Sequence, residues 1–509
     1  MKTDYDVIVI GAGNGGLAAA VTAAKLNHKV LLVERHNLPG GAATSFTRGR
    51  FEFEPSLHEL AGYGPQDNPG NIRQFFDWAG IDVQFHAVPD AYRMINTGKD
   101  KLDIRMPTGI QNFMTTLIQA VPGSQASVQA FFKIAIENAQ VFAQLSAHPE
   151  ALDPATLATQ HPLFAKYGHQ PYQRVLQALD MPAKAQEILL AYWCYIGIPS
   201  DEFEFAYFAS MLVSYVTYSA YIPQNRSHEI SSALVQALQA NGGTAWFNTE
   251  VTQLLTAEGA VVGVQIGDRK LYAHEVIADL LPDTVYSHLL PAEMVPTTEL
   301  KKANARELGT SGFLVYLGLN RSATELGIHD YSTFIARDWD TRHQFAGMHQ
   351  LHGNDFMIMN CLNVANPTCS PAGTSILYAT QLFFGDSWDQ VRPQDYPHLK
   401  TQLARDVITR YEQATGVHIQ DSIEEIEVAT PVTFARYLRA PEGDIYGYYG
   451  QPWDQMVARS LTAAQEDEPL PHLHFCGGAG HMLDGYSSAY ASGQFAARQA
   501  SHNLQKEVL

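Results

Sequence analysis

One stretch near the N-terminus, Tyr5 to Glu34, constrains the fold more than any other part of the chain. It reads YDVIVIGAGNGGLAAAVTAAKLNHKVLLVE. Val7 to Ile10 is a β-branched run suited to a buried parallel strand. Gly11, Gly13 and Gly16 follow in GxGxxG spacing, with Asn14 inside the turn. The first glycine permits the tight turn and the second lets the backbone approach a pyrophosphate. The third lets the next helix pack close to the strand. Leu17 to Leu26 is rich in Ala and Leu and reads as that helix. Its N-terminal amides and dipole attract phosphate. A second apolar strand, Lys29 to Val33, ends at Glu34, with Arg35 beside it. An acid at that place accepts hydrogen bonds from adenosine ribose hydroxyls. Together these features predict a dinucleotide-binding βαβ unit. Glu34 argues against a 2′-phosphate and leaves NAD and FAD both open.

At 509 residues the chain is too long for one ordinary core, so at least two domains are expected. Hydrophobic residues make up 46% and charged residues 17%, which is a globular composition. The net charge of −19 disfavours nucleic acid or a strongly anionic membrane as the main partner. Cys194, Cys361, Cys369 and Cys476 are scattered and form no CxxC pair, which reads as a reduced cytosolic compartment with no metal site. The first strand begins within a few residues of Met1, without a signal-peptide pattern. Phe205 to Asn225 is uncharged and aromatic, but its tyrosines, serines and proline suit a buried helix better than a membrane span.

Along the chain, Leu38-Pro39-Gly40-Gly41 is a turn signal beside the nucleotide. Phe51 to Leu60 reads as an apolar, strand-like run holding Glu54, His58 and Glu59. Asn71–Trp78 and Gln111–Leu145 have helical spacing. Ala139 to Gln170 is polar and reads as a surface connection. Leu176 to Ile222 is unusually aromatic, and many tyrosines in an apolar wall suit a long unsaturated ligand with a polar end. His228 to Val251 reads as helix, Gly242-Gly243 cap and strand. Val261–Gly267 and Leu271–Ile277 alternate as a hairpin, and Gly312 to Leu319 is a further strand. From His472 a short strand ends at Cys476. A glycine loop follows, and a small-residue helix starts near Tyr486. A second helix N-terminus of this kind suits the electron-rich edge of a reduced flavin.

The run from Val7 to Gly41, with Glu34 and the Gly40-Gly41 pair, resembles FAD-dependent flavoproteins of the phytoene desaturase, carotenoid isomerase and retinol saturase family. Ala278-Asp279 with Pro282, the turn Asn366 to Thr374, Thr430-Pro431-Val432-Thr433 and Gly443 to Gly447 fit that family's pattern. So do Gly485, Ala489, Ser492 and Gly493 near the end. The family's usual Phe-Asp-x-Gly-x-His appears here as Phe53-Glu54-Pro55-Ser56-Leu57-His58, with Glu for Asp and Ser for Gly.

The resemblance implies an α/β fold with a Rossmann-like FAD-binding domain of the glutathione-reductase type, as in amine oxidases and phytoene desaturases. A mixed-sheet and helical substrate domain accompanies it. The expected boundaries are 1–75, 225–290 and 465–509 for the FAD-binding domain, and 76–224 and 291–464 for the substrate-binding domain. The implied activity is an FAD-dependent oxidoreductase or isomerase acting on C=C bonds of an apolar polyene lipid: a carotenoid, a retinoid or an unsaturated fatty acid. The alternatives are a flavin amine oxidase and a non-enzymatic prenyl or lipid escort protein. The implied FAD contacts are Gly11, Gly13, Asn14, Gly16, Glu34, Arg35, Gly40, Gly41, Val251, Gly477, Asp484, Gly485, Tyr486 and Ser488. Tyr192, Tyr207, Phe208 and Tyr215 are the expected channel wall. Glu54 and His58, at an even offset, are expected to form a polar pair beside the flavin. His481, Asp484 and Tyr486 are further acid–base candidates. The expectation is a cytoplasmic protein with a hydrophobic or lipid substrate and no nucleic-acid partner, docking peripherally on a membrane through Phe205 to Asn225.

Overall fold

The computed structural model describes residues 3–148, 153–463, 468, 470–482 and 485–508. Tyr5–Ile10 (β1) leads through the glycine turn into helix Asn14–Lys25 (α1) and then Val30–Val33 (β2). β1 and β2 are parallel, in register from Val7 with Val30 to Ile10 with Val33. The fully apolar β2 and the inner four residues of β1 are buried on both faces, as a parallel sheet requires. Thr244–Trp246 (β3) extends this sheet beside β2. On the other side lies the meander Gln253–Ala257 (β4), Ala260–Ile266 (β5) and Arg269–Ala278 (β6). The last part of β6 runs parallel to β1 and also to Leu473–Phe475 (β7). Glu275, fully buried in β6, is held by His472 Nδ1 at 2.9 Å and His474 Nε2 at 2.6 Å. These bonds tie the C-terminal strand to the rest of the sheet.

A second seven-stranded sheet has Ser311–Leu319 and Ser375–Phe383 as neighbouring inner strands, antiparallel over their full length. Phe313, Val315, Leu317 and Leu319 face one way and pack on Leu403, Val407, Ile408 and Tyr411 of the helix Tyr396–Thr415. Leu314 and Tyr316, on the opposite face, meet Phe51 and Phe53. This is the period-2 alternation of a sheet covered on both sides. The sheet is mixed: Ser332–Ala336 pairs parallel with Tyr92–Asn96, and the neighbouring pairs are antiparallel.

Three readings of the sequence are corrected here. The helical pattern of Gln111–Leu145 is two helices, Ile110–Ala120 and Gln125–Ala147 (α2), because Pro122-Gly123 interrupts it. The supposed surface connection Ala139–Gln170 is mostly helical. Beyond α2 it holds Pro154–Gln160 and Pro162–Tyr167, each with proline at its first turn, where no N–H is needed. The strand expected over Phe51–Leu60 ends at Phe53, just before Glu54-Pro55.

Phe205–Tyr218 (α3) is one helix of the aromatic region. No described helix is long and apolar enough to cross a membrane. From Phe205 to Gln224 every side chain is buried or half-buried. Ser227–Ala240 (α4), Pro431–Leu438 (α5) and Tyr486–Val508 (α6) complete the elements around the site.

Candidate functional site

The parallel strands β1, β2, β6 and β7 all end at one place. Ile10, Val33, Asp279 and Cys476, at or just after their carboxyl ends, line a continuous cavity of about 2030 Å³. Ligands in open α/β sheets bind at such strand ends. Ordinary ligand pockets measure roughly 300–1,000 Å³, so this one has room for a large cofactor and a substrate together.

Gly11, Gly13, Asn14, Glu34, Arg35, Gly40, Gly41 and Val251 line one end of it. Glu34 accepts from Ala12 N through Oε2 and from His36 N through Oε1, both at 2.7 Å. A carboxylate has about four lone-pair positions, so each oxygen keeps one for a further donor. Asn14 Oδ1 is buried and has no hydrogen-bond partner. Gly16 does not line the cavity. A Cβ there would lie 2.0 Å from Gly11 O, so its role is the tight turn between β1 and α1. Gly493 in α6 allows the close approach of that helix to α1, where a Cβ would lie 2.1 Å from Gly15 O. Arg35 donates to Tyr437 O at 2.9 Å and anchors α5 over this end.

Gly477, Gly485, Tyr486 and Ser488 line the cavity from the C-terminal side. Asp484 lies outside the described residues. Gly477 has φ +68°, and a Cβ there would come within 2.1 Å of Asp279 Oδ1. The Asp279 carboxyl therefore sits between the two glycine turns and accepts from the Gly13 and Gly16 amides. Burial pushes it up to about 6. A phosphate arriving beside it would favour its protonated form further. The sequence reading did not assign this residue to the site.

At the far end α3 shows one face. Tyr207, Met211, Ser214, Tyr215 and Tyr218, at helical spacing, line the cavity. Phe208 does not. It is fully buried against Tyr172 and Phe203 on the other side of the helix. Tyr192 is also core rather than channel: its hydroxyl donates to Ala91 O at 2.9 Å. Ser210 Oγ and Thr217 Oγ1 are buried without partners on residues that line the cavity.

Between the two ends, the expected Glu54–His58 pair does not form. With the strand ending at Phe53, the even-offset argument has no basis. Glu54 instead accepts from Ser227 N at 2.8 Å, Ser227 Oγ at 2.7 Å and Leu57 N at 3.3 Å. It caps the first turn of α4 and fastens the segment that carries His58. His58 does line the cavity, and its Nε2 meets Thr380 Oγ1 at 2.7 Å. His481 is buried against Phe495 and is not a lining residue. The next residue after His58 was missed. Glu59 lines the cavity, is buried, and accepts from Tyr195 OH at 3.2 Å and Ser332 Oγ at 3.3 Å. Neither donor is a cation, and burial pushes its carboxyl up to about 8.

Burial holds His58 down to about 4, well below the ordinary histidine value of about 6.5. Between those values the unfolded chain binds a proton that the native chain does not. Stability therefore falls as pH drops through 6.5 toward 4. His58→Gln should shrink the loss of melting temperature between pH 7 and pH 5. An unchanged loss would mean that the imbalance lies elsewhere.

Residues 6–77 match the model of the FAD dependent oxidoreductase family. The chain is an FAD-dependent oxidoreductase. An all-trans-retinol 13,14-reductase of Danio rerio is 24% identical over 527 residues, covering 96% of this chain and 84% of that one. A chloroplastic prolycopene isomerase 2 of an Oncidium hybrid cultivar is 24% identical over 475 residues, covering 90% and 77%. Among solved structures, a putrescine oxidase variant superposes with TM-score 0.65 at 16% identity, covering 98% of this chain and 99% of that one. The CLA-producing fatty acid isomerase from P. acnes gives 0.62 at 12% identity, again covering 98% and 99%. These structures share the fold of this flavoenzyme. The residues at its nucleotide end fit FAD: spare acceptor positions on Glu34, an unpartnered Asn14 oxygen, and turns closed to any Cβ.

Proposed function

We propose that this flavoenzyme acts on C=C bonds of an apolar polyene lipid: a carotenoid, a retinoid or an unsaturated fatty acid. The observation that carries this reading is the single cavity that joins the glycine turns to the tyrosine-lined face of α3. A cofactor bound at one end and a long unsaturated chain at the other would meet near His58 and Glu59. The names of the relatives, a retinol reductase and a prolycopene isomerase, support the substrate class. So does the fatty acid isomerase among the structural neighbours.

Glu34 would take the ribose hydroxyls. Gly13, Asn14, Gly41 and Gly477 would surround the pyrophosphate, and Tyr486 and Ser488 would flank the flavin. The bound flavin would supply or accept the electron pair as hydride. The chain itself orients the substrate along α3 and keeps water from the reacting bond with buried aromatic rings. It also holds His58 as a neutral imidazole against Thr380. The first sheet, with segments 1–75, 225–290 and 465–509, would form the cofactor domain. Segments 76–224 and 291–464 would form the substrate domain. A flavin amine oxidase is the second reading, favoured by the likeness to the putrescine oxidase.

The test is to extract the purified holoenzyme and identify bound lipid by mass spectrometry, then to incubate it with that lipid. The expected result is an unsaturated, apolar ligand whose double bonds change in number or geometry. Recovery of no such lipid, with peroxide release from an added amine, would replace this reading with the second.

A further inference from the structure

We propose that Glu59 is the residue that carries the proton at the reacting carbon. The assignment rests on the polyene reading above and deepens it. Adding or removing hydride at a C=C bond leaves charge on the neighbouring carbon, and a positioned acid or base there lowers the barrier. Glu59 is the acid whose placement suits that task. It lines the cavity next in sequence to His58, and its donor Tyr195 lies with its ring 5.6 Å from that of Tyr215 on α3.

The groups around it favour its neutral form. Tyr192 and Cys194, on the turn 191–195, are buried with their own ionisation pushed up. Tyr195 on that turn, Tyr331 just before the strand Ser332–Ala336, and Tyr378 on the second sheet are held neutral in the same way. His58 is neutral as well. Ser332, which donates to one carboxyl oxygen, is itself fixed by Asn360 Nδ2 at 2.8 Å. A carboxyl among neutral groups, without a cation partner, keeps its proton near pH 7 and can give it up to a stronger base. Glu54 differs, since its oxygens are taken by the α4 amide and hydroxyl.

In the saturating direction, one carbon of the C=C bond would accept a hydride, with its electron pair, from an anionic reduced flavin. The neighbouring carbon takes the Glu59 proton. The π bond is consumed, two C–H bonds form, the flavin ends oxidised and the glutamate ends as a carboxylate. Desaturation is the same exchange reversed. Tyr195 is a positioning residue: its hydroxyl stabilises the carboxylate form, so Tyr195→Phe should raise the pH at which Glu59 loses its proton.

The experiment compares parent, Glu59→Gln and Tyr195→Phe. Infrared titration of the holoenzymes looks for a protonated carboxyl band, assigned by difference against Glu59→Gln. Flavin content and the pH profile of turnover of the extracted lipid are measured on the holoenzymes. The parent should show a band that disappears near pH 8, absent in Glu59→Gln and shifted to higher pH in Tyr195→Phe. Glu59→Gln should keep its flavin and lose about 100-fold or more in turnover. A parent that converts the lipid while Glu59→Gln converts it equally fast overturns this assignment and leaves the polyene reading intact. Absence of the titrating band does the same. A parent that leaves the lipid unchanged overturns the polyene reading and takes the assignment with it.

Discussion

Gly13→Val is expected to purify without flavin. A Cβ at this position would lie 2.5 Å from Asp279 Oδ2, which real Cβ contacts do not reach. The Asp279 carboxyl, which lines the cavity, would have to leave the turn beside the space where the pyrophosphate would sit. The two methyl groups beyond the Cβ would fill more of that space. The α1 amides would then face hydrocarbon and a displaced carboxylate instead of phosphate. Flavin absorbance per protein should fall at least tenfold, and added FAD should not restore it. Glu34→Gln serves as the milder companion. It keeps an acceptor for Ala12 N but loses the charge that a ribose hydroxyl would meet, so FAD should bind about tenfold more weakly, or roughly 1.4 kcal/mol. Full flavin content in Gly13→Val would show that this turn does not hold the nucleotide.

The second large effect is one of stability. Glu54→Ala would leave Ser227 N, Ser227 Oγ and Leu57 N without their acceptor. Ser227 and Glu54 are both buried, so water cannot readily replace it. Each orphaned buried donor costs about 1–3 kcal/mol, and the loss should exceed roughly 3 kcal/mol in urea unfolding. Glu54→Gln keeps one acceptor oxygen and should lose less than half as much. A Glu54→Ala protein within 0.5 kcal/mol of the parent, about the scatter of neutral surface changes, would show that α4 is not fastened through this acid.

These two residues also show where the sequence was readable. The Gly13 turn was legible because its demands are local: a strand, a turn with no room for a Cβ, and a helix start follow one another within a dozen residues. The place of Glu34 at the end of β2 was legible for the same reason. Glu54 and His58 were placed on one face by assuming a strand that stops at Phe53. Glu59 stood in plain view but was passed over. Its meaning depends on Tyr195 and Ser332, which are 136 and 273 positions away in the chain. The face of α3 is a similar case. Its helical period separates Tyr207, Met211 and Tyr215 from Phe208 and Leu212. The period alone does not say which set looks into the cavity and which into the core. The helices beginning at Pro154 and Pro162 were obscured by prolines that start helices as well as end them.

The cofactor sheet is assembled from pieces made at very different times. β1 and β2 leave the ribosome first, β6 much later, and β7 only with Leu473. At roughly 5–20 residues per second, about 20 seconds to a minute and a half separates the first strand from the last. Until Leu473 and α6 are made, the edge of β6 that pairs with β7 and the face of α1 that α6 covers have no partner. The nascent protein must therefore live as an unfinished sheet, the state most open to wrong pairing and to chaperone capture. A cofactor held as proposed, between Gly13 and Gly477, would find its whole site only once β7 and the turn after it are in place.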